Sequence, residues 1–297
     1  MGLRLNSERA PFAAGAAVLL TIAVGVTTSR FDDVWAAFPL FAVTALAAMA
    51  VIALLLAAGP QEGEGPDAWQ SILIVTSLIL VLGSLTELAD VLGSSTDNSR
   101  TLTWIGLLFT AGATLVALRY RSGVAALFAA LAAGFSALAF VDWVASPENE
   151  KTFRWVLAGL SIVFLAGAVL QRTQNARQGA QLAIASGVAA TLVAVTLIVP
   201  LIGGLFNVFG DEEEAELGVA FGWELYLLVI GLALVVYATL DRESGPGYAG
   251  GIVLSVFAGF AALPGEDGAS LIGWPIVLLL VALAAMGYAY SLALARE

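Results

Sequence analysis

The chain contains no cysteine and no histidine, and its only lysine is Lys151. Without cysteine there are no disulfides, thiolate nucleophiles or cysteine-held clusters. Without histidine the commonest zinc and haem ligands are missing, as is the side chain most used for proton transfer near neutral pH. No cofactor is expected. Lys151 falls between apolar runs, which argues against a Schiff-base lysine buried in lipid. Charge is scarce: 12% of residues are charged, against about a quarter in soluble domains. Most of what charge there is is acidic, 12 basic against 23 acidic residues, for a net −11. Nucleic acid is therefore not an expected partner, because phosphate recognition needs clustered cations. The basic residues are arginines apart from Lys151, a bias that points to a high-GC or salt-adapted prokaryotic source.

What is abundant is apolar sequence. Sixty per cent of the chain is hydrophobic (60%), with a mean hydropathy of +0.94. Apolar runs repeatedly exceed the roughly 18 residues that mark a bilayer crossing. A crossing segment must satisfy its own backbone hydrogen bonds, so each run is expected to be a helix. The expected fold is an all-α polytopic transmembrane bundle of about ten spans, near 12–29, 34–58, 68–94, 102–119, 123–145, 153–171, 180–209, 218–240, 248–263 and 271–294. Spans and short loops use nearly all of residues 1–297, leaving one transmembrane domain and no soluble one. Arg4 and Arg9 precede the first run like a signal peptide, but Thr27-Thr28-Ser29-Arg30 ends it without an A-x-A-like cleavage site, so it reads as an uncleaved span.

Cationic loops tend to face the cytoplasm. With the N-terminus inside, eight basic residues fall inside (Arg4, Arg9, Arg119, Arg121, Arg172, Arg177, Arg242, Arg296) and four outside (Arg30, Arg100, Lys151, Arg154). The expectation is the cytoplasmic (plasma) membrane of a prokaryote, multi-pass, with both termini cytoplasmic. Sixteen of the acids then fall outside and seven inside, giving 4 − 16 = −12 outside and 8 − 7 = +1 inside.

Five tryptophans, Trp35, Trp104, Trp155, Trp223 and Trp274, mark the outer starts of the even-numbered spans, at spacings of 69, 51, 68 and 51. A second signal has an offset of 125: Ala126, Ala130 and Gly134 in span five against Gly251, Ser255 and Gly259 in span nine, with AGFSAL (133–138) against AGFAAL (258–263). Small residues four apart make a smooth stripe on which another helix packs closely. These signals predict tandem same-orientation hairpins, with an internal repeat of 68–172 against 180–296 and a loop-length change absorbing the difference between the two offsets.

Charges within a span are functional candidates by default. Glu224 follows Trp223, about six residues into span eight, or roughly 9 Å at the helical rise. Its plainer reading is an interfacial carboxylate reaching water or an arginine. Glu87 and Asp90 are three apart and share a helical face, offering oxygen ligands of the kind calcium or magnesium takes. No further metal ligand is placed by the sequence. Asp142, before Trp143, is a similar interfacial acid. In span seven, Pro200 and Gly203-Gly204 predict a kink or break, with Thr191, Thr196 and Asn207 as its notable polar groups. The run Asp211-Glu212-Glu213-Glu214 follows as an acidic loop.

These features favour a small-molecule or ion transporter by a narrow margin, its partners being the lipid bilayer and a cation or cationic small molecule on the outer side. The alternative is a non-catalytic scaffold, or an accessory subunit with membrane-protein partners, which explains the shortage of deep polar residues. An enzyme acting on lipid at the outer leaflet, relying on carboxylates and a metal, is the third and least supported possibility.

Overall fold

The computed structural model describes residues 10–31, 34–58, 65–147, 149–207, 219–262, 273–280, 282–283 and 286. They are helical throughout, with no strand among them. The helices are α1 (Ala10–Phe31), α2 (Ala37–Ala58), α3 (Ala68–Val91), α4 (Ser99–Tyr120), α5 (Gly123–Ala145), α6 (Glu150–Gln171), α7 (Ala176–Asn207), α8 (Phe221–Asp241) and α9 (Ser244–Ala261). Residues 273–280 belong to a tenth, α10. Eight helices, α1 to α8, are long and apolar enough to cross a bilayer. The glycines that open α9 dilute its apolar character, and only part of α10 is described.

Short connections with capped ends make the hairpins. Asn98 accepts a hydrogen bond from Arg100 N (3.0 Å), Ser122 from Ala125 N (3.3 Å) and Asn149 from Lys151 N (3.0 Å), each satisfying a first-turn donor. Two turns share one geometry. Arg121 ends α4 in the left-handed region (φ 47) and Arg242 ends α8 in the same way (φ 57). A single extended residue, Ser122 or Glu243, then stands at the N-cap position of the next helix, and of the two Ser122 makes a side-chain cap.

The starts of the odd helices lie at one end of the bundle, here termed proximal; the starts of the even helices lie at the distal end. α2 packs along α3, α4 along α5, α6 along α7 and α8 along α9. The odd helices also pack on one another in chain order, α1 on α3, α3 on α5, α5 on α7 and α7 on α9. The result is a row of odd helices, each backed by the even helix before it. Two apolar cores follow: one draws on α1 to α5 around Leu73, Ile74 and Ala113, the other on α6 to α10 around Val193, Leu227, Leu234 and Val253. α7 is the most enclosed helix, with half (50%) of its most apolar stretch buried, against 22% for α1.

Glycine permits the closest crossings. A Cβ on Gly250 of α9 would lie 2.8 Å from the Gly231 carbonyl of α8, and one on Gly187 of α7 would lie 2.7 Å from the Ala249 Cβ of α9. The expected α9 stripe is a different set. Gly251, Ser255 and Gly259 are exposed, and a Cβ on Gly251 or Gly259 would touch nothing within 4 Å. The α9 face that packs is Pro246, Gly250, Val253, Phe257 and Phe260. On α5, by contrast, Ala126, Ala130 and Gly134 are buried as expected.

α7 shows no break at the residues expected to kink or break it. It runs as one helix through Pro200 and Gly203-Gly204 to Asn207. Phe209 and the acidic run Asp211 to Glu214 lie outside the described residues.

Candidate functional site

All four acids singled out in the sequence sit near the distal end, at the last turns of α3 (Glu87, Asp90) and α5 (Asp142) and the first turn of α8 (Glu224). They do not gather: among the described residues no group of three or more acidic side chains comes together as a metal site. Asp90 is exposed and Glu87 half-buried. Asp142 accepts a hydrogen bond from the Ser99 hydroxyl of α4. One residue on along each helix, the Arg100 guanidinium lies 5.7 Å from the centroid of the Trp143 ring. The start of α4 and the end of α5 are thus joined twice, by a hydroxyl on a carboxylate and a cation on an aromatic face.

Glu224 is the exception in depth and environment. Because α8 begins at Phe221, the residue stands about one turn into the helix, shallower than a start near 218 implied. It is nevertheless only 2% exposed. The carboxylate reaches neither solvent nor an arginine: its Oε2 accepts a hydrogen bond from the Trp274 indole Nε1 on α10. Trp274 is held in turn by rings on both neighbouring helices. Phe221 of α8 stacks on it at 5.2 Å and Phe257 of α9 meets it edge-on at 5.1 Å. Among the described residues no arginine or lysine forms an ion pair with Glu224; the ion pair found there joins Arg172 and Asp241 at the other end of α8. The first-turn position of Glu224 adds the positive end of the helix dipole.

Beside Glu224 the distal ends of α6, α7 and α8 are tied by groups that sequence reasoning passed over. Arg154 of α6 donates through Nη2 to the backbone carbonyl of Thr196 (2.9 Å) and through Nε to the Thr196 hydroxyl (3.2 Å). The same guanidinium lies 5.7 Å from the centroid of the Trp223 ring, and Trp155 packs against Trp223 at 4.7 Å. Deeper, the Tyr226 and Ser161 hydroxyls are hydrogen-bonded, and the Ser186 hydroxyl donates to the Ser161 carbonyl (2.7 Å). Thr191 turns back on its own helix, donating to the Gly187 carbonyl (2.8 Å). The side chain of Asn207 is outside what is described. The sequence did carry a signal for Arg154, since a proline at 200 strands the carbonyl at 196, but it did not say which donor would come.

This fold defines the class: a multi-span α-helical membrane protein. Comparison with protein-family models, with curated proteins and with solved structures finds no match.

Proposed function

We propose that the chain is a transporter of cations or cationic small molecules in the cytoplasmic membrane of a prokaryote. In this reading the distal end faces outward, both termini are cytoplasmic, and Glu224 is the principal contact. The observation that carries it is the Glu224 carboxylate, buried one turn inside α8 with a neutral indole as its hydrogen-bond donor. A buried carboxylate without an opposite charge is costly, and a cationic solute supplies that charge. Asp142, Glu87 and Asp90 add negative potential at the same end, which concentrates cations there. The test is uptake of monovalent and organic cations into vesicles. Glu224→Gln keeps an acceptor for Trp274 and should abolish uptake while leaving the melting temperature nearly unchanged. Wild-type uptake by that variant would remove Glu224 from the mechanism.

The scaffold reading has one specific observation in its favour. Gly251, Ser255 and Gly259 form an open, smooth stripe on α9, where a helix of a partner membrane protein can approach closely. Single cysteines at Thr191, Thr196, Glu224 and Gly259 separate the two readings, since the chain has no cysteine of its own. Labelling of positions 191 and 196 by a membrane-impermeant reagent supports a water-filled path. Labelling at 224 alone supports the scaffold.

We also read α4–α5 and α8–α9 as two copies of one hairpin. Equating their left-handed turn residues gives 242 − 121 = 121. In that register buried Ala125, Ala129, Ser136 and Ala139 correspond to buried Pro246, Gly250, Phe257 and Phe260.

A further inference from the structure

The proximal end holds a cleft of about 230 Å³ between the starts of α3, α5 and α7. At about 30 Å³ per water it has room for an oxyanion with part of its hydration. Its walls include two arginines, Arg121 from the α4–α5 turn and Arg177 from the first turn of α7, together with Gln181, Ser122 and Glu243. Arg177 is laid against the backbone of Gly65, where a Cβ would stand 3.3 Å from its Nη1. Gly123 allows the start of α5 to close against α7, since a Cβ there would lie 3.3 Å from the Arg177 carbonyl.

Among the described residues no carboxylate forms an ion pair with Arg121 or Arg177, although Glu243 lines the same cleft. Glu62 and Glu64 lie outside the described residues. Two like charges facing one space repel, and both gain from an anion between them. The backbone adds donors. The Ser122 hydroxyl takes the Ala125 N–H and the Ser122 carbonyl takes the Ala126 N–H. The remaining first-turn donors of α5, on Gly123 and Val124, belong to residues of the cleft wall.

We propose that this cleft binds a phosphate group, held by Arg121 and Arg177 with the free N–H groups at the start of α5. Planar guanidinium forks match phosphate oxygens in pairs. The position at the helix ends is head-group level for a spanning bundle, so the phosphate belongs either to a phospholipid head group or to a soluble phosphate. Glu243 makes the charged lining 2 − 1 = +1 and weakens binding. The proposal stands apart from the reading of Glu224.

The experiment uses the full chain in a neutral detergent, with its unfolding followed by intrinsic tryptophan fluorescence. Dihexanoylphosphatidylglycerol, inorganic phosphate and sodium chloride are added at matched ionic strength. Stabilisation by the phospholipid and by phosphate beyond chloride identifies a soluble-phosphate site; stabilisation by the phospholipid alone identifies a head-group site. In either case Arg121→Gly and Arg177→Gln should each weaken binding about tenfold, and Glu243→Gln should tighten it. Arg121 is left-handed at φ 47, so glycine removes the guanidinium there without backbone cost, and this variant carries the test should Arg177→Gln fail to fold. Stabilisation no greater than chloride gives, or wild-type affinity in Arg121→Gly, overturns the proposal.

Discussion

Arg154 on α6 donates to the backbone carbonyl of Thr196, four residues before Pro200 on α7. In a regular helix that carbonyl accepts the N–H of residue 200, which proline does not have. A carbonyl without a donor inside a bilayer is costly, and the guanidinium of the neighbouring helix takes the place of the missing N–H. Three charges and dipoles of different origin, the carbonyl, the Thr196 hydroxyl and the Trp223 ring face, hold one cation at the distal end of the bundle.

The first prediction follows directly. Arg154→Gln should destabilise the protein by about 1–3 kcal/mol, the usual cost of an unsatisfied buried acceptor. Pro200→Ala restores the helical N–H, so in that background the same substitution should cost markedly less. Thermal melts of the four proteins in this double-mutant cycle measure the difference. Equal costs in both backgrounds would show that the carbonyl is not what Arg154 serves.

Neighbouring glycines on α9 should respond in opposite ways. Gly250→Ala forces a methyl against the Gly231 carbonyl and should cost about 1–3 kcal/mol by overpacking. Gly251→Ala meets open space and removes a flexible residue from a helix, so it should be neutral or stabilise by up to about 1 kcal/mol. Melting temperatures of the two variants in the same detergent decide it, and equal losses would mean that α9 is rotated from the face described.

Trp274 begins α10 and Trp155 begins α6, both even helices of the row, but they differ in surroundings, the first 3% and the second 68% exposed. Trp274→Phe leaves the Glu224 carboxylate without its indole donor and should cost about 1–3 kcal/mol. Trp155→Phe should change stability by no more than about 0.5 kcal/mol. Denaturant or thermal unfolding read by circular dichroism compares them.

At the proximal end Arg172, the last cap of α6, pairs with Asp241, the final residue of α8. Asp241 is the more enclosed partner, its side chain 4% exposed against 38% for Arg172, and its Oδ2 is buried without a hydrogen bond. Arg172→Gln strands that carboxylate and should cost about 2 kcal/mol, reduced from the fully buried range by the exposure of the arginine. Asp241→Asn in the Arg172→Gln background should recover part of the loss, as melting temperatures will show.

The helices themselves were legible because lipid imposes one rule on every span. α5 begins and ends where the apolar run does, at Gly123 and Ala145, and α6 differs from the expected 153–171 only by the turn that Asn149 caps. Glu224 was legible as an anomaly, a carboxylate beside Trp223 within an apolar run. Its partner was not, since Trp274 lies 50 residues away and no local rule links them. The face of α9 was misread for a physical reason. Alanine, serine and glycine differ little in size, so the match of AGFSAL with AGFAAL at an offset of 125 does not fix which side of the helix meets a neighbour. In the proposed reading of α4–α5 and α8–α9 as two copies of one hairpin, equating the turns puts the offset at 121, one helical turn away, and burial follows that register. In that reading, two-residue turns of the same form at Arg121 and Arg242 leave no loop-length change to absorb the difference.

The two apolar cores meet along α5, which touches α6 and α7, with a buried tie beside it where the Gln178 amide donates to the Ala117 carbonyl (2.7 Å). A molecule pulled from its two ends would therefore give way twice, each core surrendering as a unit with a pause between. The row of hairpins is mechanically two objects sharing one helix, so a lesion in α5 loosens the first core and its coupling to the second together.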